Sequence, residues 1–276
     1  MKRFGLIGHP IGHSLSPALF RAGYEGRYTY DLIETPDFEE AYRRFLEGYD
    51  GINVTAPFKE LAFEKADILS EECRLIKATN LMVKTPDGVK AYNSDYLGVR
   101  MWLQEISAEG QQERRVLIAG CGGAGKAAAL AAASLGFRLH LMNRDKSKAE
   151  GLADSVKQLD DKVIVEISGL DEFCRCFRES DIIIYNIPTA IPQLRELCKD
   201  DFIGVPDSSG QPHEKHILEA SYKSPSFTEN LIDRMKKCNP EASYTRGEKW
   251  LLYQALTGYK IFTGERPYLP SMQSVL

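Results

Sequence analysis

Apolar and polar positions along this chain change period in a way that separates two regions. In the first, Phe4-Gly5-Leu6-Ile7 is a short apolar run that stops at Gly8-His9-Pro10, which predicts a strand ending in a loop. Ser16-Pro17 reads as an N-cap followed by proline at the first helical position, opening a helix over Ala18–Tyr24. Tyr28–Ile33 has strand composition, and Asp37 caps a helix whose apolar residues Phe38, Ala41, Tyr42 and Phe45 recur at helical spacing. Gly51–Thr55 predicts a strand that breaks at Pro57, and Leu61–Leu69 a helix. Asn80–Val83 and Val89–Asn93 flank Pro86-Asp87-Gly88, a hairpin signal. A helix over Ser94–Ile106 follows, then a polar linker, Ser107–Arg115.

The second region alternates strands with helices. Arg114–Ala119 has a buried-strand pattern and runs into Gly120-Cys121-Gly122-Gly123-Ala124-Gly125, after which a small-residue helix, Lys126–Leu135, stops at Gly136. A strand over Phe137–Met142 ends at Asn143-Arg144, and Ser147–Leu159 is helical. Asp181–Asn186 is a β-branched strand, and Phe202–Val205 predicts another. This alternation implies βαβ units and a parallel sheet. From Gly247 the chain reads as a helix carrying Trp250, Leu251, Tyr253, Gln254 and Leu256, then a tail broken at Pro267 and Pro270.

Composition narrows the function. A length of 276 residues suits one large domain or two ordinary ones. Apolar residues at 43% and charged residues at 27% are ordinary for a soluble globular protein. The charge, 35 − 39 = −4, is wrong for a general nucleic-acid binder. No apolar run approaches the roughly 20 residues of a membrane span, and the N-terminal apolar stretch is too short for a secretory signal. The six cysteines are scattered, which suits reduced thiols. The expectation is a cytoplasmic protein with neither membrane nor nucleic acid as partner.

Gly120, Gly122 and Gly125 form G-x-G-x-x-G between a strand and a helix, with Gly123 inside the loop. In that context the first glycine permits the turn, the second admits a pyrophosphate, and the third lets helix and strand pack closely. The helix N-terminus then presents free N–H groups to phosphate. Gly120–Lys126 also spells G-x-x-x-x-G-K, the start of a P-loop, but Ala127 stands where a Mg²⁺-binding hydroxyl belongs. An NAD site wants Asp or Glu at the end of the next strand; here Asn143-Arg144 stand there. A guanidinium grips a 2′-phosphate, so the expected cofactor is NADP (NADPH), with Lys148 adding charge and Asp145 opposing it. His213-Glu214-Lys215-His216 and Cys174-Arg175-Cys176 lack further ligands at metal-site spacing, so no metal is expected.

Other polar clusters fall in the first region. Ser14 and Ser16 place hydroxyls before a helix N-terminus, suited to a small carboxylate or, more simply, to capping. Asn53-Val54-Thr55-Ala56-Pro57-Phe58-Lys59 ends a strand in polar groups and then delivers a lysine; Asn80 stands at a short strand; Asp95 sits at a helix N-terminus.

Taken together, Ser14-x-Ser16-Pro17, Asn53-Val54-Thr55-x-Pro57-x-Lys59, Asn80, Asn93-Ser94-Asp95-x-x-Gly98, the glycine loop, Asn143-Arg144 and Gln254 resemble the shikimate dehydrogenase family over essentially the whole chain. The resemblance implies an α/β protein with a substrate-binding domain (1–97 plus 247–276, the C-terminal helices returning to it) and a Rossmann-type NADP domain (98–246, of which 98–113 is a linker helix region). It implies NADP-dependent reversible reduction of 3-dehydroshikimate to shikimate, on the route to chorismate and the aromatic amino acids. Ser14, Ser16, Thr55, Asn80 and Gln254 are then expected to contact substrate, and Lys59 with Asp95 to form the catalytic pair. The partner is the small molecule alone, the protein acting as monomer or homodimer. The alternatives are a quinate/shikimate-type enzyme using NAD or a broader range of hydroxy acids, and a non-catalytic nucleotide-binding module.

The chain also departs from the family pattern. Pro206-Asp207-Ser208-Ser209-Gly210 is read as the segment after the fifth strand of the second region, where the family has Tyr-Asp-x-x-Tyr with a substrate-touching second tyrosine. Asn186-Ile187-Pro188-Thr189 and Lys249-Trp250 replace the family's usual residues near the nicotinamide.

Overall fold

Contacts divide the chain into two units, Met1–Gly98 with Leu251–Leu276, and Val99–Trp250. The computed structural model describes residues 2–107, 114–206, 210 and 214–276. The chain passes from one unit to the other at Gly98/Val99 and Trp250/Leu251, where the sequence reading places its divisions at 97/98 and 246/247.

In the first unit the apolar run at the N-terminus becomes β1 (Arg3–Gly8), followed by α1 (Ser16–Gly23), β2 (Thr29–Glu34), α2 (Phe38–Gly48) and β3 (Gly51–Val54). Next come α3 (Lys59–Glu64), β4 (Ile68–Leu69), α4 (Glu71–Ile76), the hairpin β5 (Leu81–Thr85) and β6 (Gly88–Tyr92), and the start of α5 (Ser94–Ile106). The sheet runs β2-β1-β3-β5-β6-β4. β1 pairs in parallel with both β2 and β3, and β3 pairs antiparallel with β5. The α2 register follows from its sequence. Asp37 accepts from Glu39 and Glu40 N–H, and Phe38, Ala41 and Phe45 face a core with Ile7, Ile33, Ile52 and Val54.

Two local expectations fail here. The helix read over Leu61–Leu69 ends at Glu64. Asp67 N–H then donates to Val89 O at 3.0 Å and Ser70 N–H to Ala91 O at 3.1 Å, so Ile68-Leu69 become a strand on the edge beside β6. Pairing with a sheet edge overrides the helical spacing of a few apolar residues. Ser16 does not cap α1: Leu15 holds that position, and Ser14 Oγ accepts the Ser16 N–H at 3.2 Å.

The second unit contains β7 (Arg115–Ala119), α6 (Gly123–Ala133), β8 (Arg138–Met142), α7 (Lys146–Leu159), β9 (Val165–Ser168), α8 (Phe173–Arg178), β10 (Ile182–Tyr185), β11 (His216–Glu219), α9 (Glu229–Cys238) and β12 (Ser243–Thr245). The sheet order is β12-β11-β10-β7-β8-β9, with all pairs parallel. This is the doubly wound dinucleotide order, whose crevice opens where the strand order reverses, between β7 and β10. β7 and β10 read as continuous apolar runs because helices cover both faces. The buried alanines 127–129 and 131–133 let α6 lie close to the sheet.

The strand expected over Phe202–Val205 is absent. Lys199–Phe202 is a 3₁₀ turn, in which the Asp201 carboxylate accepts Cys198 N–H and pairs with Arg178. Phe202 is apolar because its ring packs on Phe177, 5.9 Å between centroids, and the fifth parallel strand is β11. The C-terminal part forms α10 (Gly247–Thr263) and, after Pro267, the expected broken tail instead contains a further short helix, α11 (Leu269–Gln273). Of the polar linker, residues 108–113 lie outside the described residues, as do 207–209 and 211–213. Among the described residues no helix is long and apolar enough to cross a membrane.

β11 carries a buried titrating group. His216 Nδ1 meets Ser243 Oγ at 2.7 Å; burial first, then the Arg114 guanidinium, push its pKa down to about 4 from 6.5, against the pull of Asp181. The unfolded chain therefore takes up a proton that the folded chain refuses as pH falls from 6.5 to about 4, and stability drops through that window. The expected loss is about 3 kcal/mol by the lower limit. Urea midpoints measured across the window should fall steeply for the wild type and less steeply for His216→Gln; equal slopes would remove His216 as the source.

Candidate active site

The first unit collects its polar groups where strands end. Thr55 follows β3, and its N–H donates to Ile7 O at 3.0 Å. A Cβ on Gly8 would come within 2.4 Å of Thr55 Cγ2, so only glycine admits Thr55 there. The Pro57 turn leads to Lys59 at the first position of α3. Asn93 caps α5: its Oδ1 accepts from Tyr96 N–H at 3.1 Å and its Nδ2 donates to Ala78 O at 3.1 Å. Asp95 thereby falls in the first helical turn, where the helix dipole favours a carboxylate. Lys59 Nζ lies 2.7 Å from Asp95 Oδ2, with side chains 32% and 20% exposed, open enough to meet a ligand. Lys59 O also accepts from Thr79 N–H at 3.0 Å, which ties α3 to the residue before Asn80.

Asn80 is buried at the mouth of β5. Its carbonyl accepts from Val54 N–H at 2.8 Å and from Asn53 Nδ2 at 3.2 Å, while Tyr30 Oη donates to Asn53 Oδ1 at 2.8 Å. Its side-chain oxygen accepts from Ser94 N–H at 2.7 Å, and Ser94 Oγ donates to Gln254 Oε1 on α10 at 2.9 Å. Hydrogen bonds and chain adjacency thus join Thr55, Lys59, Asn80, Asp95 and Gln254. Ser14 and Ser16 stand at the start of α1, where Tyr259 Oη of α10 donates to Ser16 O at 3.0 Å. An ammonium–carboxylate pair among hydroxyls and amides can bind a hydroxylated acid and move a proton.

The second unit presents the glycine loop. Gly120 has φ +99°, a conformation L side chains avoid, and a Cβ on Gly125 would lie 1.8 Å from Gly120 O. Gly122 caps α6, and no atom of the described residues lies within 4 Å of a Cβ built on Gly122 or Gly123, so the helix N-terminus is open among them. Asn143 Oδ1 accepts Cys121 N–H at 3.2 Å, and its Nδ2 donates to Asp145 O at 2.9 Å, joining the loop to the end of β8. Asp145, expected to oppose a phosphate, caps α7 by accepting Ser147 N–H at 3.1 Å and Ser147 Oγ at 2.8 Å, and Ser147 holds its carboxyl below the usual range. Arg144 and Lys148 are exposed beside it. Asn186 follows β10 next to Gly120, and its Oδ1 is buried with no hydrogen-bond partner among the described residues. An open cradle of N–H groups, an exposed guanidinium and an orphan acceptor fit a phosphorylated dinucleotide. Ala127 is fully buried, which leaves the P-loop reading without its hydroxyl.

One site expectation is corrected. Because the fifth strand is β11, the segment that follows it is Ala220-Ser221-Tyr222, not Pro206–Gly210, of which 207–209 lie outside the described residues. Glu219 and Tyr222 restore the acid-x-x-Tyr spacing; an apolar stretch ending in an acid, His216–Glu219, was the missed signal. Ser94 stands inside the Asn93-Ser94-Asp95 motif, where its own contribution has no mark in sequence because its hydroxyl is buried. Of the residues weighed for a metal, His213 lies outside the described residues, His216 bonds Ser243, and Cys176 Sγ faces His140 Nε2 at 3.3 Å.

Residues 6–82 match the family model for the shikimate dehydrogenase substrate binding domain. The NADP(+) shikimate dehydrogenase of Caldicellulosiruptor saccharolyticus is 31% identical, over 95% of this chain and 92% of its own. A solved shikimate dehydrogenase in complex with NADP+ is 27% identical with a TM-score of 0.81, covering 100% of this chain and 94% of its own. The NAD complex of quinate dehydrogenase from Corynebacterium glutamicum, 22% identical with a TM-score of 0.81 over 99% of this chain and 98% of its own, shares the fold.

Proposed function

The chain belongs to the shikimate dehydrogenase family, and from that premise we propose that it catalyses the reversible, NADP-dependent reduction of 3-dehydroshikimate to shikimate, a step towards chorismate and the aromatic amino acids. The observation that carries this reading is the Lys59–Asp95 pair at 2.7 Å among the hydroxyls and amides of Thr55, Asn80 and Gln254. A sensor or binding module has no use for a proton-transfer pair. We place the enzyme in the cytoplasm, as a monomer or homodimer.

NADPH, when bound, supplies the hydride that reduces the ketone carbon. Lys59 donates a proton to the oxygen that becomes the alcohol and offsets its developing negative charge. In the reverse direction Lys59 accepts that proton. Asp95, fixed in the first turn of α5, keeps the ammonium in place. Ser14 and Ser16 hold the substrate carboxylate, while Thr55, Asn80 and Gln254 take its hydroxyls, so that the carbonyl is presented in one orientation. Tyr222 takes the place of the family's second tyrosine. Gly120, Gly122, Gly123 and Gly125 with Asn143 would hold the pyrophosphate, and Arg144 with Lys148 would hold the 2′-phosphate.

The deciding experiment follows nicotinamide absorbance during oxidation of shikimate and of quinate, each with NADP+ and NAD+. Turnover of shikimate with NADP+ well above the other combinations is expected; faster quinate oxidation with NAD+ would overturn the assignment. Arg144→Ala tests the cofactor choice. Loss of a bidentate phosphate contact should raise the KM for NADP+ about 10- to 100-fold and leave that for NAD+ nearly unchanged. Equal effects on both would remove Arg144 from the 2′-phosphate.

A further inference from the structure

We infer that Ser94 is a positioning residue: its buried hydroxyl aims the side-chain amide of Gln254, as its backbone N–H aims that of Asn80, so that their NH₂ groups are the ones offered to substrate. The inference rests on the dehydrogenase reading above and names the group that gives its pocket hydrogen-bond polarity. Ser94 is fully buried beside Asp95. Its N–H donates to Asn80 Oδ1 at 2.7 Å, and its hydroxyl lies 3.2 Å from that same oxygen and 2.9 Å from Gln254 Oε1. A hydroxyl carries one proton, so it serves one carbonyl oxygen at a time. Asn80 is already satisfied by the backbone N–H; the proton therefore goes to the nearer Gln254.

The other end of Gln254 is fixed as well, since Nε2 donates to Leu251 O at 3.1 Å. Turning that amide over would set oxygen against oxygen. Gln254 thus keeps its second Nε2 proton for a ligand, and Asn80 Nδ2 has no hydrogen-bond partner among the described residues. Amide donors there suit the hydroxyl oxygens of a polyhydroxy acid.

Glycine makes the arrangement possible. A Cβ on Gly98 would come 2.7 Å from Gln254 N, and a Cβ on Gly258 would come 2.8 Å from Leu81 Cδ1 and 3.4 Å from Ser94 Oγ. Without these two glycines α10 could not lie close enough to the start of α5 for Ser94 to reach Gln254.

Shikimate oxidation by Ser94→Ala, Ser94→Thr, Gln254→Ala and the Ser94→Ala/Gln254→Ala double variant tests this. Ser94→Ala should raise the shikimate KM about tenfold, equivalent to about 1.4 kcal/mol, with the NADP+ KM unchanged, and Ser94→Thr should restore it. In the Gln254→Ala background the same substitution should cost less than about threefold, because the amide it aims is gone. If Ser94→Ala does not fold, Ser94→Cys, similar in size but a weak donor, replaces it. A wild-type shikimate KM in Ser94→Ala, or a full tenfold penalty persisting in the Gln254→Ala background, overturns the inference and leaves the dehydrogenase reading standing. No shikimate oxidation by the wild type removes both.

Discussion

Lys59→Ala is expected to lower kcat for shikimate oxidation about a thousandfold, with the substrate KM within about threefold of the wild type. A thousandfold corresponds to about 4 kcal/mol of transition-state stabilisation, within reach of one group that both transfers a proton and offsets the forming charge. The substrate carboxylate and hydroxyls stay with Ser14, Ser16, Thr55, Asn80 and Gln254, so ground-state binding survives. Thermal stability should hardly move. Lys59 is 32% exposed and Asp95 20%, and an ion pair so open to water contributes at most about 1 kcal/mol. Asp95→Asn leaves a hydrogen-bonding group beside Lys59 but removes the charge that steadies the ammonium; its kcat should fall about 10- to 100-fold, less than that of Lys59→Ala. Steady-state kinetics with a melting curve for each variant separates the outcomes. Wild-type turnover in Lys59→Ala would end the assignment of the proton step, and a loss of activity that tracked a loss of folded protein would make the pair structural.

The sequence was most legible where local chemistry and tertiary context agree. Asp37 caps α2 in both reading and structure, and the Ser94–Ile106 helix has the same bounds in each. The glycine loop lies between β7 and α6 as its spacing requires, because a close backbone approach admits no other residue. Legibility failed where burial came from packing that a one-dimensional pattern cannot carry. Phe202 looks like a strand residue but fills a core position from a 3₁₀ turn, while His216–Glu219, with a histidine and an acid at its ends, is a wholly buried strand. Ile68-Leu69 is helical by spacing and a strand by its neighbour. In the candidate site, Lys59, Asp95 and the glycine loop are marked by motif, whereas the links from Ser94 to Asn80 and Gln254 are visible only in the hydrogen-bond geometry. The misplaced fifth strand also moves the acid-x-x-Tyr segment from Glu219–Tyr222 to Pro206–Gly210 in the sequence reading.

Gly125→Ala and Gly123→Ala should part company, although both lie in the same loop. The added methyl at 125 would sit 1.8 Å from Gly120 O and 2.9 Å from Gly120 C, both backbone atoms. Gly120 at φ +99° has little room to yield without losing the bond from its N–H to Met142 O at 2.7 Å. The loop must therefore distort, costing about 3 kcal/mol of stability and splaying the N–H groups that would hold pyrophosphate; NADP+ affinity should fall at least about 100-fold. At 123 the methyl meets nothing within 4 Å among the described residues and replaces glycine with the best helix former in the first turn of α6, so the unliganded protein should be as stable as the wild type or more so, by up to about 1 kcal/mol. The methyl nonetheless occupies the space over the helix N-terminus, and NADP+ binding should weaken about tenfold or more. Melting temperatures measured with and without NADP+ resolve the two effects: Gly125→Ala loses stability before any nucleotide is added, and Gly123→Ala loses only the stabilisation that nucleotide confers. Wild-type NADP+ affinity in Gly123→Ala would show that the phosphates do not approach the α6 N-terminus, and the loop would then be a packing device alone.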